Sequence, residues 1–242
     1  MKESGHILKT NTKRKLFGII LDLLSVGLVY FISQLVIVIV ISLAGISDSS
    51  ELELRPKVLL TAYIASGISI LLTLYVLLKV RKINISILQF KKPRWGDFGY
   101  GLIGFGTYFL ITLVLTSLLG LIPGLDLSQR QELGLQNIDD SQLLAVFFAL
   151  VVLPPLTEEL LFRGFLYGRL KHHRVLPYIA ATITSLVFGL VHGQLNVGID
   201  TFILSMVMVY ILEIRKNIWT TIFMHTVKNA VAFLALFVFK IV

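Results

Sequence analysis

Two carboxylates and a guanidinium lie within a short segment of one of the most apolar parts of the sequence. Glu158, Glu159 and Arg163 follow Leu143–Leu156, a run without a charged residue. Charged groups at membrane depth are costly and usually face a protein interior or a wet cavity. Glu159 and Arg163 are four residues apart, so they can pair on one face of a helix. Glu158 lies about 100° around that helix, so we expect it to be the working group and the pair to support it.

Two further pairs with helical spacing occur in later apolar segments. Phe188 and His192 are four residues apart, and so are His225 and Asn229. Taken singly, each has a structural interpretation: a histidine or asparagine can join membrane helices by a hydrogen bond, and a buried Glu–Arg pair can be purely structural. Together, the three clusters supply carboxylates, two imidazoles and an amide. This set of groups is suited to activating water against a carbonyl.

The composition predicts a membrane protein around these groups. Of 242 residues, 56% are hydrophobic and 15% are charged, against about 25% charged residues in ordinary domains. We therefore predict an all-α, polytopic bundle of about seven helices of roughly 20 residues each, embedded in a lipid bilayer. It has a tail at 1–15, three spans with their loops at 16–141, and a catalytic membrane domain at 142–242. The sequence has no cysteine, which excludes disulfides and thiolate metal ligands.

The apolar runs place spans at about 16–44, 58–80, 98–119, 142–170, 177–192, 197–214 and 218–239. The Pro154-Pro155 pair should kink or restart the fourth span. Basic and acidic segments alternate between the spans, which places the N-terminus in the cytoplasm. The net charge of +8 therefore indicates cytoplasmic loops and anionic lipid rather than nucleic acid. The first apolar run is too long for a cleaved signal peptide, so we expect a retained first span.

Polar residues elsewhere in the spans have simpler interpretations. We expect Asp22 to face water or Lys15 near the membrane interface. We expect Asp200 to lie in the first turn of span six, where a carboxylate suits the helix dipole. Three histidines fall in basic, wet segments: His6, His172 and His173. Four glycines predict a helix-packing seam at the start of span three: Gly99, Gly101, Gly104 and Gly106.

The three clusters, in this order, resemble the CPBP family: Glu158-Glu159-x-x-x-Arg163, Phe188-x-x-x-His192 and His225-x-x-x-Asn229. That family comprises the type II CAAX prenyl endopeptidases and bacterial bacteriocin-processing or self-immunity membrane proteins, also called Abi proteins. The resemblance covers the chain from about residue 144 to the C-terminus and implies an intramembrane endopeptidase.

The resemblance also implies a role for each residue. Glu158 would be the base that activates water, and Glu159 and Arg163 would orient the groups around it. His192 would bind a metal or the water. His225 and Asn229 would polarise the scissile carbonyl or stabilise the oxyanion, and Phe188 would support the site.

A metal is implied by the usual classification of the family with metalloproteases, although the dependence on metal is disputed. Glu158, His192 and His225 would bind a divalent ion, zinc first, with an open position. They match none of the local zinc-site spacings, so a metal-independent reaction stays open. By residue counting, His192 is near the outer end of span five and His225 is in the inner half of span seven. For a shared site, span five must be shifted, tilted or extended past Gly193, with both imidazoles within about 8 Å of Glu158.

The predicted substrate is a membrane-associated peptide or protein, either lipidated and of CAAX type or a peptide precursor. The small size and short loops favour a bacterial plasma membrane. Two other functions remain open: a non-proteolytic immunity or regulatory protein on the same scaffold, and a proton-coupled carrier. The internal repeats common in carriers are not visible in the sequence. The sequence does not predict an oligomeric state.

Overall fold

The computed structural model describes residues 2–46, 55–124, 127, 135 and 138–240, with side chains from Thr12 onward. Seven main helices run through these residues: α1 Lys2–Leu43, α2 Pro56–Val80, α3 Trp95–Leu119, α4 Asp140–His172, α5 Pro177–Leu190, α6 Leu195–Arg215 and α7 Trp219–Val238. Six are long and apolar enough to cross a membrane, and α5 is shorter. The described part of the chain contains no β-strand. The prediction of an all-α polytopic bundle is confirmed.

The outer faces of the long helices are apolar. On α3, for example, Leu102, Ile103 and Leu110 are each more than half exposed. Such a surface suits contact with lipid, in which helices satisfy their own backbone hydrogen bonds. The helix bounds agree with the predicted spans to within a few residues, with one exception. α1 continues back to Lys2 through the predicted tail.

Helix α4 is the centre of the bundle. Its segment Glu159–Tyr167 is buried at every residue, and its side chains pack against those of most other helices. The buried partners include Val26 on α1, Leu74 on α2, Ala180 and Phe188 on α5, Leu212 on α6 and Ile222 on α7. Glu159 and Arg163 therefore lie in a segment of α4 that is fully enclosed by the other helices.

The two prolines do not end α4. Its hydrogen bonds widen to the i→i+5 pattern over Phe148–Val152, and Pro154 then lies in the first turn of the α-helical segment Leu153–Glu158. Proline fits this position because its fixed φ suits the start of an α-helical segment, although its missing N–H leaves a carbonyl of the preceding turn without its usual donor. A second wide segment follows at Glu159–Tyr167. Such π-type turns occur often at functional sites.

The expectation that Asp22 faces water or Lys15 is wrong. Its carboxylate is fully buried. It lies 2.7 Å from Arg81 Nη1 and 3.1 Å from Arg169 Nε, and the ring of His173 contacts it at 2.8 Å. His173 lies in the turn after α4, in the basic segment that the sequence predicts, but its side chain is largely enclosed at 14% exposed. This cluster joins α1 to the ends of α2 and α4. Its residues are far apart in the sequence, so the spacing of residues along one helix could not predict their contacts.

The predicted glycine seam on α3 forms at two of its four positions. A Cβ at Gly101 would lie 3.2 Å from the Thr220 carbonyl oxygen of α7, and one at Gly104 would meet Ile211 of α6. At Gly99 and Gly106 a Cβ would meet nothing within 4 Å. The seam therefore covers one face of the helix, as a helical period requires.

A closer crossing joins α5 and α6. A Cβ at Gly189 would lie 2.7 Å from the carbonyl oxygen of Gly198, and one at Gly198 would lie 3.1 Å from that of Gly189. The atoms that would clash belong to the backbone, so a change of side-chain rotamer cannot relieve the contact. The crossing fixes the short turn between the two helices.

We expect Gly189→Ala to lower the free energy of unfolding by about 1–3 kcal/mol, the usual range for overpacking. Thermal unfolding in detergent measures the effect. Gly99→Ala is the matched control, because a Cβ there meets open space. An unchanged unfolding temperature for Gly189→Ala would contradict the close crossing.

Candidate active site

The predicted pair of Glu159 and Arg163 forms inside the second π-helical segment of α4, Glu159–Tyr167. Arg163 Nη1 lies 3.0 Å from Glu159 Oε1, and both side chains are fully buried. A buried charge is stable only when it is paired and satisfied by further contacts. Part of that requirement is met by Phe188, because the guanidinium carbon of Arg163 lies 4.1 Å from the centre of that ring.

Glu159 also fixes His225 of α7. The Nδ1 atom of His225 lies 2.9 Å from Glu159 Oε1. A carboxylate only accepts hydrogen bonds, so Nδ1–H is the donor. The Nε2 atom of His225 is then the nitrogen that remains for other partners, and it points towards Glu158. One carboxylate thus joins α4 to α7 and sets the orientation of the imidazole.

Glu158 has the opposite environment. Its side chain is 23% exposed, whereas that of Glu159 is 0% exposed. Glu158 Oε2 lies 4.0 Å from His225 Nε2. This gap is too long for a direct hydrogen bond, but a water molecule between the two atoms would be within reach of both. The two adjacent carboxylates are therefore divided as predicted into an accessible group and a buried supporting group.

Phe188 brings the two histidines to one place. Its ring centre lies 4.9 Å from that of His192 and 6.1 Å from that of His225. Phe188 is itself fully buried and packs edge-on against Phe162 of α4. The predicted distance of about 8 Å between Glu158 and the imidazoles is met at His225. For His192 it stays a prediction.

His192 lies in the turn between α5 and α6. Its Nδ1 atom is 2.7 Å from the carbonyl oxygen of Phe188, so Nδ1–H donates and Nε2 is left free. The 14 residues of α5 extend only about 21 Å at 1.5 Å per residue, which is less than the hydrocarbon thickness of about 30 Å. Of the three predicted alternatives for span five, extension past Gly193 does not occur, because α5 ends at Leu190. A shifted or a tilted span five stays a prediction.

Asn229 donates a hydrogen bond to a backbone carbonyl that has no N–H donor because of the prolines. In an α-helix, the carbonyl of Leu150 would accept from the N–H of residue 154, but Pro154 has no N–H. The side-chain amide of Asn229 donates to this carbonyl at 2.9 Å. Asn229 thereby ties α7 to α4, and its second N–H stays available. The predicted role at the oxyanion stays a prediction.

The predicted metal site at Glu158, His192 and His225 stays a prediction. Across the residues that the structure describes, no three His, Asp or Glu side chains converge closely enough to hold an ion. In both histidines Nδ1 is hydrogen-bonded to a protein oxygen, which leaves Nε2 as the nitrogen that could bind a metal, as is usual for metal-binding histidines. One ion held by all three side chains would bring them closer together than they are in this structure.

Asp200 does not stabilise a first helical turn as expected, since α6 begins five residues earlier. Its carboxylate accepts a hydrogen bond of 2.5 Å from the hydroxyl of Tyr108 on α3. Lys228 Nζ of α7 lies 3.7 Å from it. Asp200 and Lys228 line a cavity of about 250 Å³ with Asn196, Thr112 and Thr116. The cluster links α3, α6 and α7 beside the histidines.

Comparison with known proteins points to the same part of the chain. Residues 140–231 match the family described as "Type II CAAX prenyl endopeptidase Rce1-like". The chain is also 25% identical over 177 residues to the "Membrane-embedded CAAX protease MroQ" of Staphylococcus aureus (strain USA300), covering 69% of each chain. No solved structure matches at a significant level. The predicted resemblance is confirmed for residues 140–231, which match an Rce1-like domain of the type II CAAX prenyl endopeptidases, and the chain is a multi-pass membrane protein.

Proposed function

We propose that this chain, whose residues 140–231 form an Rce1-like domain of the type II CAAX prenyl endopeptidase family, is a glutamate-dependent intramembrane endopeptidase. The observation that carries the proposal is the pairing of an accessible Glu158 with His225 Nε2 across a gap of 4.0 Å. The buried Glu159–Arg163 pair supports this arrangement, because Glu159 accepts the hydrogen bond that orients His225. The matched domain includes every residue of the site that the sequence predicted.

In the proposed reaction, ionised Glu158 accepts a proton from a water molecule that lies between its carboxylate and the histidines. The resulting hydroxide attacks the scissile carbonyl carbon. Glu158 then returns the proton to the leaving amine, which completes hydrolysis without a net change in the enzyme. The partly exposed position of Glu158 supports this role, because both water and substrate can reach it.

The histidines have complementary roles in this proposal. When protonated, His225 donates from Nε2 to the developing oxyanion, because Glu159 already holds Nδ1. His192 has its Nδ1–H directed to Phe188, so its Nε2 accepts a hydrogen bond from the attacking water. The free N–H of Asn229 is a further donor to the carbonyl. Arg163 and Phe188 keep the two rings in place.

Whether catalysis requires a metal is tested directly by chelation. We expect cleavage by the purified protein to persist after treatment with 1,10-phenanthroline, because the possible ligands do not converge. The assay uses a fluorogenic farnesylated CAAX-type peptide in detergent micelles. Loss of activity that stoichiometric zinc restores would contradict this expectation and would support the metal-assisted reaction.

The proposed substrate is a membrane-associated peptide or protein, with a CAAX-type chain end or a peptide precursor as the two candidates. The name of the Staphylococcus aureus relative favours the CAAX class. Comparative peptidomics of cells that carry either the wild type or Glu158→Gln would identify the fragments. Fragments with prenylated ends support the first candidate, and leader peptides support the second.

A non-proteolytic immunity or regulatory protein is the second candidate function, since the same scaffold would serve it. The retained Glu158 and both histidines argue for proteolysis, because a binding protein has no need of an accessible base. A cellular phenotype that survives substitution of Glu158, His192 and His225 would favour the second candidate. Proton flux linked to substrate in proteoliposomes would instead indicate a carrier.

A further inference from the structure

Helix α1 lies outside the matched domain, yet it contacts the turn that carries His192. The hydroxyl of Tyr30 donates a hydrogen bond of 2.9 Å to the carbonyl oxygen of Val191. Val191 follows directly after α5 and precedes His192. Carbonyl groups at the end of a helix lack an intrahelical donor. Tyr30 supplies that donor from a different helix, 161 residues away in the sequence.

The turn is otherwise held mainly by its own residues. The N–H of Gln194 donates to the carbonyl of His192 at 2.9 Å, and the N–H of Gly193 donates to Leu190. Gly193 has a φ of +74°, which glycine adopts without strain. These local contacts define the shape of the turn. On the side of α4, the turn is held through Phe188, which accepts from His192 Nδ1 and packs against Phe162. Tyr30 adds a second contact from the side of α1.

Helix α1 is itself fixed relative to α4. The buried Asp22 contacts Arg169 at 3.1 Å and His173 at 2.8 Å, both at the end of α4. Tyr30 lies eight residues further along α1, a rise of about 12 Å at 1.5 Å per residue. Asp22 joins α1 to α4. The hydrogen bond from Tyr30 on α1 therefore holds the turn at a defined place relative to α4.

We propose that Tyr30 is a positioning residue that sets the place of His192 relative to Glu158, so that α1 completes the active site of the Rce1-like domain. The proposal rests on the proposed function in that His192 is taken to contact the attacking water. In this proposal Tyr30 acts through its hydrogen bond to the backbone of the turn. Its removal should therefore loosen His192 locally and leave the bundle intact.

The first test measures the reactivity of His192 without reference to activity. Diethyl pyrocarbonate attacks an unprotonated imidazole nitrogen, and His192 has Nε2 free for it. In full-length Tyr30→Phe in detergent, we expect carbethoxylation of His192 to be several-fold faster than in the wild type, measured by mass spectrometry. The rate at His172, which is exposed and distant from the site, should not change. Thermal unfolding should be unchanged within a few degrees.

Tyr75→Phe is the matched control, because Tyr75 is 55% exposed on α2. It should leave the rate at His192 at the wild-type value. An unchanged rate at His192 in Tyr30→Phe would overturn the proposal. A faster rate at His225 as well as His192, together with a lower unfolding temperature, would also overturn it, because that result marks general loosening.

The second test measures cleavage of the farnesylated CAAX-type peptide. We expect Tyr30→Phe to lower kcat by about twofold to tenfold, the effect of one neutral hydrogen bond, with KM unchanged. A rise in KM at constant kcat would overturn the proposal and place Tyr30 in substrate binding. If no form cleaves any substrate while His192 is still more reactive in Tyr30→Phe, the proposed function fails and the positioning role of Tyr30 stands.

Discussion

Glu158→Gln should abolish cleavage and leave the fold intact. A positioned base contributes about 10²- to 10⁴-fold to the rate, and glutamine keeps the shape of the side chain without its basicity. Glu158 is 23% exposed and makes no close ion pair, since His225 Nε2 is 4.0 Å away. Its replacement therefore removes little packing. The measurement is cleavage of the farnesylated peptide, together with thermal unfolding in the same detergent.

Glu213→Gln is the control for this experiment. Glu213 is a partly exposed carboxylate on α6 that pairs with Lys171 at 2.6 Å and with Lys216 at 2.7 Å, and it lies outside the site. We expect full activity in that variant. Wild-type activity in Glu158→Gln would remove Glu158 from the role of base. Equal loss of activity in both variants would point to a general electrostatic effect.

The spacing of polar residues along the sequence predicted the parts of the site that lie on a single helix. The spacing of Glu159 and Arg163 predicted their ion pair, which forms at 3.0 Å. The separation of Glu158 around the same helix predicted that it faces away from this pair, and its side chain is 23% exposed where that of Glu159 is buried. These predictions succeeded because side chains that are four residues apart on a helix are neighbours whatever the tertiary fold.

Contacts between helices could not be predicted in this way. Asp22 reaches Arg169 across 147 residues, and Tyr30 reaches Val191 across 161 residues. Nothing in the sequence distinguishes Tyr30 from other aromatic residues in apolar spans. Only the missing N–H of Pro154 gives a local signal, because it leaves the carbonyl of Leu150 in need of a donor. Which side chain supplies that donor, Asn229, depends on the packing of α7 against α4.

The length of α5 bears on the predicted depth of His192. A helix of 14 residues is shorter than a full membrane span, so its end need not coincide with a membrane surface. The pair of Gly189 and Gly198 lets α6 begin immediately beside α5. The predicted difference in membrane depth between His192 and His225 came from treating every apolar run as a helix that crosses the whole membrane.

Glu159→Gln should cause the largest loss of stability among single substitutions in the site. Arg163 would keep its charge in a fully buried position and lose the carboxylate that is 3.0 Å away. Breaking a buried ion pair by removing one partner typically costs about 3–5 kcal/mol. The measurement is the free energy of unfolding in mixed micelles. Activity should fall as well, because the acceptor that orients His225 Nδ1 loses its charge.

The double variant Glu159→Gln with Arg163→Met separates the two effects. It removes both charges, and methionine fills much of the space beside Phe188 where the guanidinium lies. Replacing a buried ion pair by neutral groups of similar volume is often nearly neutral for stability, so the double variant should regain most of the lost free energy. Activity should stay low, because the carboxylate beside His225 is still absent.

If Glu159→Gln alone is as stable as the wild type, Arg163 has another partner and the supporting role of Glu159 is wrong. If the double variant regains activity with its stability, the pair stabilises the fold and does not orient His225.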